Sequence, residues 1–326
     1  MLQWYDKHAR TLPWRALKGQ QSNPYHVLLS EVMLQQTTVA TVKPYFERFV
    51  KQWPTLTMMA AASLDEILVA WQGLGYYSRA RNLHKAAQEL AELQSFPQTV
   101  ETLKTLPGTG DYTANAIAAI AFNRPVVPID SNVIRVLTRV YGLTQPLPAL
   151  KKTVSEKALL LASTDRPGDF AQSLMDLGAM VCRPQQPLCE GCPVVIVCEA
   201  YKKGLQQMLP VKAVKPLKPT RYGVAFLNVN AHGQVWLRRR PEKGLLGGMI
   251  EVPCTEWTEQ PPSLVNDSPC LGNVKHTFTH FHLNLTVHQI NMLPEESSGF
   301  WADINALERY AIPTLMKKVL AFLTND

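Results

Sequence analysis

Four of the six cysteines lie within residues 182–198, and this loop constrains the fold more than any other feature of the sequence. They form the pattern Cys182-x6-Cys189-x2-Cys192-x5-Cys198. Thiolates at such spacing can converge on one centre and bind zinc or an iron–sulfur cluster. A chain of 326 residues with six cysteines is not a disulfide scaffold. We therefore expect a metal centre in a reducing compartment. The spacing leaves zinc and iron open, although the uneven gaps favour a wide cluster.

A basic stretch with prolines, residues 201–221, divides the chain into two parts. It contains six lysines and arginines and no acidic residue, and its composition predicts an extended tether. Residues 1–200 show helical spacing of apolar residues and predict an all-α domain. Residues 222–326 predict an α+β domain, with a hairpin over 222–237, a strand over 281–287 and a helix at 312–323.

Bulk properties favour a globular protein with a polyanionic partner. Apolar residues make up 46% of the chain, and the net charge is +7, which suits binding to phosphates with release of counterions. No apolar run is long enough to span a bilayer, and the N-terminus lacks the layout of a signal peptide. We expect a soluble cytoplasmic protein that does not bind membranes.

Two glycines directly before a helical segment form the second motif. Gly108 and Gly110 lie in Leu106-Pro-Gly-Thr-Gly-Asp-Tyr-Thr113, ahead of the helix predicted at 114–122. Backbone N–H groups of such a turn, with a helix N-terminus behind them, suit a DNA phosphate. The pattern predicts a helix–hairpin–helix, although an ordinary turn between helices has the same glycines.

Two acidic residues have contrasting surroundings. Glu31 lies in a segment that is apolar all round, where burial raises the pKa of a carboxyl group and keeps it a proton donor. Asp130 precedes a helix, whose amides can hold it ionised. An acid and an ionised stabiliser are the pair that glycosidic cleavage requires. The alternatives are a narrow solvent-facing stripe for Glu31 and a simple N-cap for Asp130.

The segment 106–122 contains no lysine that could form a Schiff base, and Tyr112 follows the hairpin. We therefore expect a glycosylase without efficient lyase activity. Two weaker segments, 35–37 and 73–79, carry amides and aromatic residues that could wedge into a base stack, although packing is an equally ordinary role for them.

Taken together, these motifs resemble the MutY family of adenine DNA glycosylases, within the helix–hairpin–helix superfamily that includes endonuclease III. The similarity covers nearly the whole chain and is most specific at residues 30–37, 73–77, 106–113, 129–133 and the cysteine loop. It implies a monomeric base-excision repair enzyme of the bacterial nucleoid that acts on double-stranded DNA with adenine opposite 8-oxoguanine or guanine. It also implies a 4Fe-4S cluster on the four cysteines.

The resemblance assigns roles to individual residues. Glu31 would protonate adenine at N7, and Asp130 would stabilise the oxocarbenium-like sugar, with Tyr112 and Asn132 supporting them. Residues that would contact DNA in this half are Gln36 and Tyr76 as wedges, Leu74 and Thr37 beside them, and Arg10, Leu12, Trp14 and Arg15 around the adenine pocket.

The second domain resembles the family's Nudix-like reader of 8-oxoguanine, with Phe278, Thr279 and His280 at the lesion. It has no Glu-rich pyrophosphatase box, so we expect binding without nucleotide hydrolysis. The chain departs from the family pattern in three places. Ser131 stands where Gly is usual, which would be strained if the backbone needed a positive φ. Thr279 replaces Ser, and residues 16–23 form a longer loop. We expect Cys254 and Cys270 to be ordinary buried thiols.

Two other interpretations remain open. The first is an endonuclease III-like glycosylase for oxidised pyrimidines, against which the absent lysine and the extra domain argue. The second is a catalytically silent DNA-binding protein with a structural zinc, which would leave Glu31 and Asp130 without a purpose. The expected fold class is multidomain: an all-α helix–hairpin–helix glycosylase domain with an iron–sulfur loop, plus an α+β Nudix-like C-terminal domain.

Overall fold

A computed structural model describes residues 1–17, 19–211, 217–262, 268–291 and 298–323. The chain forms two compact units. The first comprises Met1–Ala61 and Asn82–Val214, and the second comprises Ala62–Arg81 and Lys215–Asp326. The predicted domain bounds place residues 62–81 in the first half, whereas this segment clusters with the C-terminal half.

The regular elements among the described residues of the first unit are all helices. Its helices are α1 (Leu2–His8), α2 (Pro24–Leu34), α3 (Val39–Gln52), α4 (Leu56–Ala61), α6 (Ser78–Ala91, which contains the boundary between the units), α7 (Val100–Leu103), α8 (Asp111–Phe122), α9 (Ser131–Tyr141), α10 (Ala149–Leu161), α11 (Pro167–Asp176) and α12 (Glu199–Lys202). Helix α5 (Leu64–Ala70) belongs to the second unit. The predicted all-α class of this domain is confirmed.

Helices α2 and α8 pack against each other at the centre of the first unit. Helix α2 begins at Pro24, where the Asn23 side chain accepts a hydrogen bond from the Tyr25 amide, and most of its residues are buried. Helix α8 presents alanines such as Ala114 and Ala118, whose small side chains allow a close approach. This packing places one turn of α2 against the start of α8, where the candidate site lies.

The second unit contains two small sheets and a helix. One sheet has the order β1 (Thr220–Leu227), β5 (His282–Gln289), β4 (Cys270–Thr277), with β1 parallel to β5 and β4 antiparallel to it. The other has the order β3 (Ile250–Glu251), β2 (Gln234–Arg239), β6 (Phe300–Asp303). Helix α13 (Thr314–Leu320) packs on β4 and contributes Leu315, Met316 and Val319 to the core. The predicted α+β class is confirmed.

Three local expectations differ from the structure. Cys270, expected to be a buried thiol, is exposed because it begins the edge strand β4. The hairpin over 222–237 is confined to the residues beside its turn: Asn230 donates to the Gln234 carbonyl and Val229 forms an isolated antiparallel bridge with Val235, whereas β1 pairs along its length with the distant β5. The tether is not extended at its start, because Leu209 is buried and its carbonyl accepts a hydrogen bond from Arg139. Residues 212–216, with Lys212 and Lys215, lie outside the described residues. No helix in the described part of the chain is long and apolar enough to cross a membrane.

Candidate active site and nucleic-acid interface

The first unit contains a cavity of about 750 Å³, within the range of small-molecule sites. Both predicted carboxylates, Glu31 and Asp130, line it, together with Tyr112 and Asn132. The four predicted catalytic residues come from α2, from the start of α8 and from the start of α9. The structure therefore brings together side chains that are about 100 positions apart in sequence.

Glu31 is buried, with 5% of its surface exposed, and the Tyr112 hydroxyl donates a hydrogen bond of 2.7 Å to its Oε2 atom. The pKa of the Glu31 carboxyl is raised to about 7, chiefly by burial; the Tyr112 hydrogen bond and Arg15 lower this pKa, and the nearby Asp130 charge adds to the raising effect of burial. Burial also raises the pKa of Tyr112, so its hydroxyl remains a donor. At neutral pH Glu31 is thus poised to give or take a proton.

Asp130 is the N-cap of α9, as one of its two interpretations predicted. Its Oδ1 atom accepts a hydrogen bond of 2.6 Å from the Val133 amide, and Oδ2 accepts one of 2.8 Å from the Asn132 side chain. Capping and catalysis are compatible here, because the same carboxylate also lines the cavity. Its two donors fix the direction in which the carboxylate faces the site.

Ser131, which replaces the usual glycine, is accommodated without strain. It is the first residue of α9, Asp130 before it has φ −93° and ψ −178°, and Ser131 is not among the residues with positive φ. A serine fits this extended-to-helical transition as readily as glycine does. The concern raised by the sequence therefore does not apply.

Residues 10–15, which were predicted to surround the adenine pocket and are called the wall below, border the same cavity. Arg10, Leu12, Trp14 and Arg15 all line it, and Trp14 is buried with its ring in edge contact with Phe46. The arginines bind a residue that the sequence analysis missed: Asp176 at the end of α11, which is fully buried and hydrogen-bonded to both. A single acid within the apolar turn Leu174-Met-Asp-Leu177 was the signal that could have identified it.

Gln36 and Thr37 border the mouth of the cavity just after α2 ends. Gln36 is exposed and has φ 60°, a left-handed conformation that is uncommon for residues other than glycine. Such a conformation costs free energy and persists only where the surrounding structure holds it. It is found most often at functional positions. Exposure at the cavity edge is compatible with the predicted contact to DNA.

The predicted hairpin is a tight turn in front of α8. Gly108 has φ +75°, and a Cβ atom there would lie 2.7 Å from the Cβ atom of Asn82. Gly110 is the N-cap of α8. The first residue of that helix, Asp111, forms a surface ion pair with Lys104 at 2.5 Å. The start of α8 thus follows a tight glycine turn and carries an exposed ion pair beside it.

The remaining predicted DNA contacts lie in the second unit. Tyr76, with φ 48°, and Thr279 share a hydrogen bond of 2.7 Å between their hydroxyl groups. Both line a cavity of about 460 Å³ with Phe278 and His280. Leu74 differs, because its side chain is only 5% exposed and does not line this cavity. The structure therefore joins residues from two distant segments and leaves Leu74 within the packing.

The four cysteines of the loop all line one small cavity. The side chains are half-buried, and burial together with neighbouring cysteines raises the pKa of the Cys189 and Cys192 thiols. In the part of the chain that the structure describes, no three potential ligands are placed for a single metal ion. Thiolates are the ligands that both zinc and iron–sulfur clusters take, and these four thiols line one common cavity.

Hydrogen bonds connect this loop to Asp130. Asn132, which donates to Asp130, accepts from Arg135 at 2.8 Å, and Arg135 donates to the Cys182 carbonyl at 2.7 Å. The buried Arg139 lies 3.3 Å from the Cys182 sulfur. Arg135 and Asn132 therefore link the position of the cysteine loop to the orientation of the Asp130 carboxylate.

Two family models match the chain in accordance with this architecture. Residues 29–160 match the HhH-GPD superfamily of base excision DNA repair proteins, and residues 224–322 match the NUDIX domain. A solved structure of a thermostable thymine-DNA glycosylase has a TM-score of 0.54 and 27% identity, and the match covers 62% of this chain and 93% of that one. The class is therefore a base-excision DNA repair glycosylase with a NUDIX domain appended.

Curated relatives narrow this class. Adenine DNA glycosylase of Mus musculus is 35% identical over 98% of this chain and 76% of its own length. That of Buchnera aphidicola subsp. Schizaphis graminum is 30% identical over 98% and 96%. The chain belongs to the adenine DNA glycosylase family. It is thus a DNA-binding enzyme of base excision repair that acts on N-glycosyl bonds, as the resemblance implied.

Proposed function

We propose that this enzyme removes adenine paired with 8-oxoguanine or guanine in double-stranded DNA, by hydrolysis and without strand cleavage. The observation that carries the proposal is the buried, hydrogen-bonded Glu31, with a pKa raised to about 7, in the same cavity as Asp130. Adenine leaves as a good leaving group only when a ring nitrogen is protonated, and an acid near neutral pKa is suited to that transfer.

The reaction then runs in two steps. Glu31 donates its proton to N7 of the flipped adenine, the C1′–N9 bond breaks, and its electron pair leaves with the base. The sugar becomes an oxocarbenium ion, which the Asp130 carboxylate stabilises. Water adds its oxygen to C1′ and returns a proton to Glu31. Tyr112 orients Glu31, and Asn132 orients Asp130, through the hydrogen bonds described above.

We infer hydrolysis without lyase chemistry from the amines near the site. No lysine is found among the described residues that line the cavity, and the position after the hairpin holds Tyr112. A Schiff base with C1′ needs an amine within reach of the sugar. Strand cleavage should therefore require alkali after the base has been released.

The partner base is read, in this proposal, by the cavity of the second unit. Tyr76 and Thr279 offer two hydroxyl groups at its edge, and Phe278 lies stacked against Trp257. An oxidised guanine differs from guanine by a donor at N7 and a carbonyl at C8, which hydroxyl groups can recognise. Gln36 and Tyr76, which both have a positive φ, would wedge into the duplex and separate its stacked bases.

We further propose that Cys182, Cys189, Cys192 and Cys198 bind a 4Fe-4S cluster. Iron–sulfur binding is general in this family, and the thiols surround one apolar cavity. The cluster would supply no chemistry to base excision; it would fix the loop whose Cys182 carbonyl receives Arg135. We expect a monomer that meets its DNA on the bacterial nucleoid, in the cytoplasm.

Excision assays on a panel of duplexes test the proposal. Adenine opposite 8-oxoguanine, adenine opposite guanine, adenine opposite thymine, and thymine glycol opposite adenine are each incubated with the enzyme, and strands are resolved with and without alkali. We expect release of adenine from the first two duplexes only, with breaks only after alkali. Processing of thymine glycol, or efficient nicking without alkali, would instead indicate an endonuclease III-like activity.

A further inference from the structure

Asp176 is a buried carboxylate that binds the cavity-lining Arg10 and Arg15 and takes no direct part in the proposed reaction. Its Oδ1 atom accepts hydrogen bonds from Arg10 Nε at 2.6 Å and from Arg15 Nη2 at 2.8 Å. Its Oδ2 atom accepts from the Arg10 amide at 3.0 Å and from Arg15 Nη1 at 2.7 Å. A fully buried carboxylate with four donors is held in one orientation.

These bonds tie down both ends of the segment that borders the adenine cavity. Arg15 also donates to the Arg10 carbonyl at 3.2 Å, and its amide donates to the Leu12 carbonyl at 3.0 Å. The segment contains no helix or strand, so side-chain contacts must define its path. Asp176, at the end of α11, is therefore the anchor of this wall.

The charge of Arg15 opposes the chemistry of Glu31. The titratable groups that line the cavity with Glu31 are Tyr112 from α8, Asp130 from the start of α9, and Arg10 and Arg15 from the wall. Of these, Tyr112, Asp130 and Arg15 act on the Glu31 carboxyl. A cation near a carboxyl favours its ionised form, whereas the proposed acid must remain protonated. Arg15 in fact acts to lower the pKa of Glu31, against the raising effect of burial.

We propose that Asp176 is a positioning residue for catalysis, because it binds and neutralises the Arg15 guanidinium in the pocket wall and thereby lets Glu31 keep its proton. The inference rests on the proposed role of Glu31 as the acid. Burial acts to lower the pKa of Arg15, but the hydrogen bonds and charge of Asp176 outweigh it and leave that pKa raised, as expected for a tight pair. The pKa of Asp176 is correspondingly lowered despite its burial.

The pH dependence of single-turnover excision tests this role. In Asp176→Asn the Arg15 charge loses its counterion, so Glu31 should ionise at lower pH. We expect the alkaline fall of the excision rate to begin at lower pH than in the wild type, with about a tenfold loss at alkaline pH for each pH unit of displacement. Rates at acidic pH should change much less.

Two further variants separate charge from shape. Asp176→Glu keeps the charge, so the midpoint should stay at the wild-type pH even if the rate falls throughout. In the double variant Arg15→Gln/Asp176→Asn both charges are gone, and the midpoint should return toward its wild-type value. Asp169→Asn is the matched control on the same helix, because that carboxylate binds Arg166 at the surface and should leave the profile unchanged.

The midpoint does not depend on how much of a preparation is folded, so a partly unstable variant still reports on the inference. An Asp176→Asn profile that is lowered by one factor at every pH would show a purely structural role and overturn it. Glu31→Gln distinguishes this failure from a failure of the proposed function. If Glu31→Gln is inactive while Asp176→Asn retains the wild-type midpoint, only the inference about Asp176 is wrong; if Glu31→Gln excises adenine normally, the acid itself is wrongly assigned.

Discussion

At the scale of single residues, the site is built around a carboxyl group in surroundings that disfavour its charge. Glu31 lies on α2 among neighbours, residues 27–33, that are all buried. The Tyr112 hydroxyl donates a hydrogen bond to its carboxyl group. The same burial that makes Glu31 a proton donor at neutral pH makes its ionised form costly. Function and stability are therefore in conflict at this position.

This conflict predicts that Glu31→Gln alters how stability depends on pH. The folded-state pKa of about 7 lies above the ordinary 4.5, so the wild type is not penalised below pH 4.5 and loses stability relative to the variant as the pH rises through 7. The full difference should approach about 3 kcal/mol. Denaturant unfolding at acidic and at alkaline pH measures it, with Glu47→Gln, an exposed position on α3, as the control. An equal effect of Glu31→Gln at both pH values would contradict the raised pKa.

At the scale of elements, the local patterns predicted well what depends on neighbouring residues. Asp130 predicted the start of α9, because helix capping is a contact within one turn. The pairing of β1 with β5 and the bonds of Asp176 to Arg10 join residues far apart in the chain. Such contacts leave no periodic signal, and for this reason the pairing partner of β1 was mispredicted and Asp176 was missed.

The helix–hairpin–helix turn offers a prediction about one glycine. Gly108→Ala would place a Cβ atom 2.7 Å from the Asn82 Cβ atom and force φ +75° on a residue that disfavours it, so we expect a loss of about 1–3 kcal/mol in the free energy of unfolding. Gly110→Ala is the matched control, since φ there is −87° and a Cβ atom would meet nothing within 4 Å. Urea denaturation compares them. Equal losses in the two variants would mean that the turn does not need its left-handed glycine.

At the scale of the whole molecule, the chain does not divide where its composition changes. The segment Ala62–Arg81, which the sequence places in the helical half, clusters with the C-terminal half. Within that unit Asp65 forms an ion pair with Arg239 at 2.8 Å, Gln72 donates to the Tyr310 carbonyl at 2.9 Å, and Arg81 donates to the Gly247 carbonyl. These contacts are made by polar groups, which leave no hydrophobic pattern in the sequence. The predicted bounds of 1–200, 201–221 and 222–326 therefore could not take them into account.

Tyr76, one of the residues proposed to wedge into DNA, therefore belongs to the same unit as the C-terminal residues. Tyr76 keeps a left-handed backbone and binds Thr279 through its hydroxyl group. The added methyl of Thr279, relative to serine, leaves that hydrogen bond intact. In the proposed function, base removal and recognition of the opposite base are thus performed by separate units that share one continuous chain.

The most direct test of the account compares Glu31→Gln with the wild type on a duplex that carries adenine opposite 8-oxoguanine. Duplex affinity and the single-turnover rate of adenine release are measured at neutral pH on the same preparations. The account predicts an affinity within a few-fold of the wild type and a loss of release by at least about a hundredfold, because the glutamine has no proton to donate. Release of adenine at nearly the wild-type rate would contradict it.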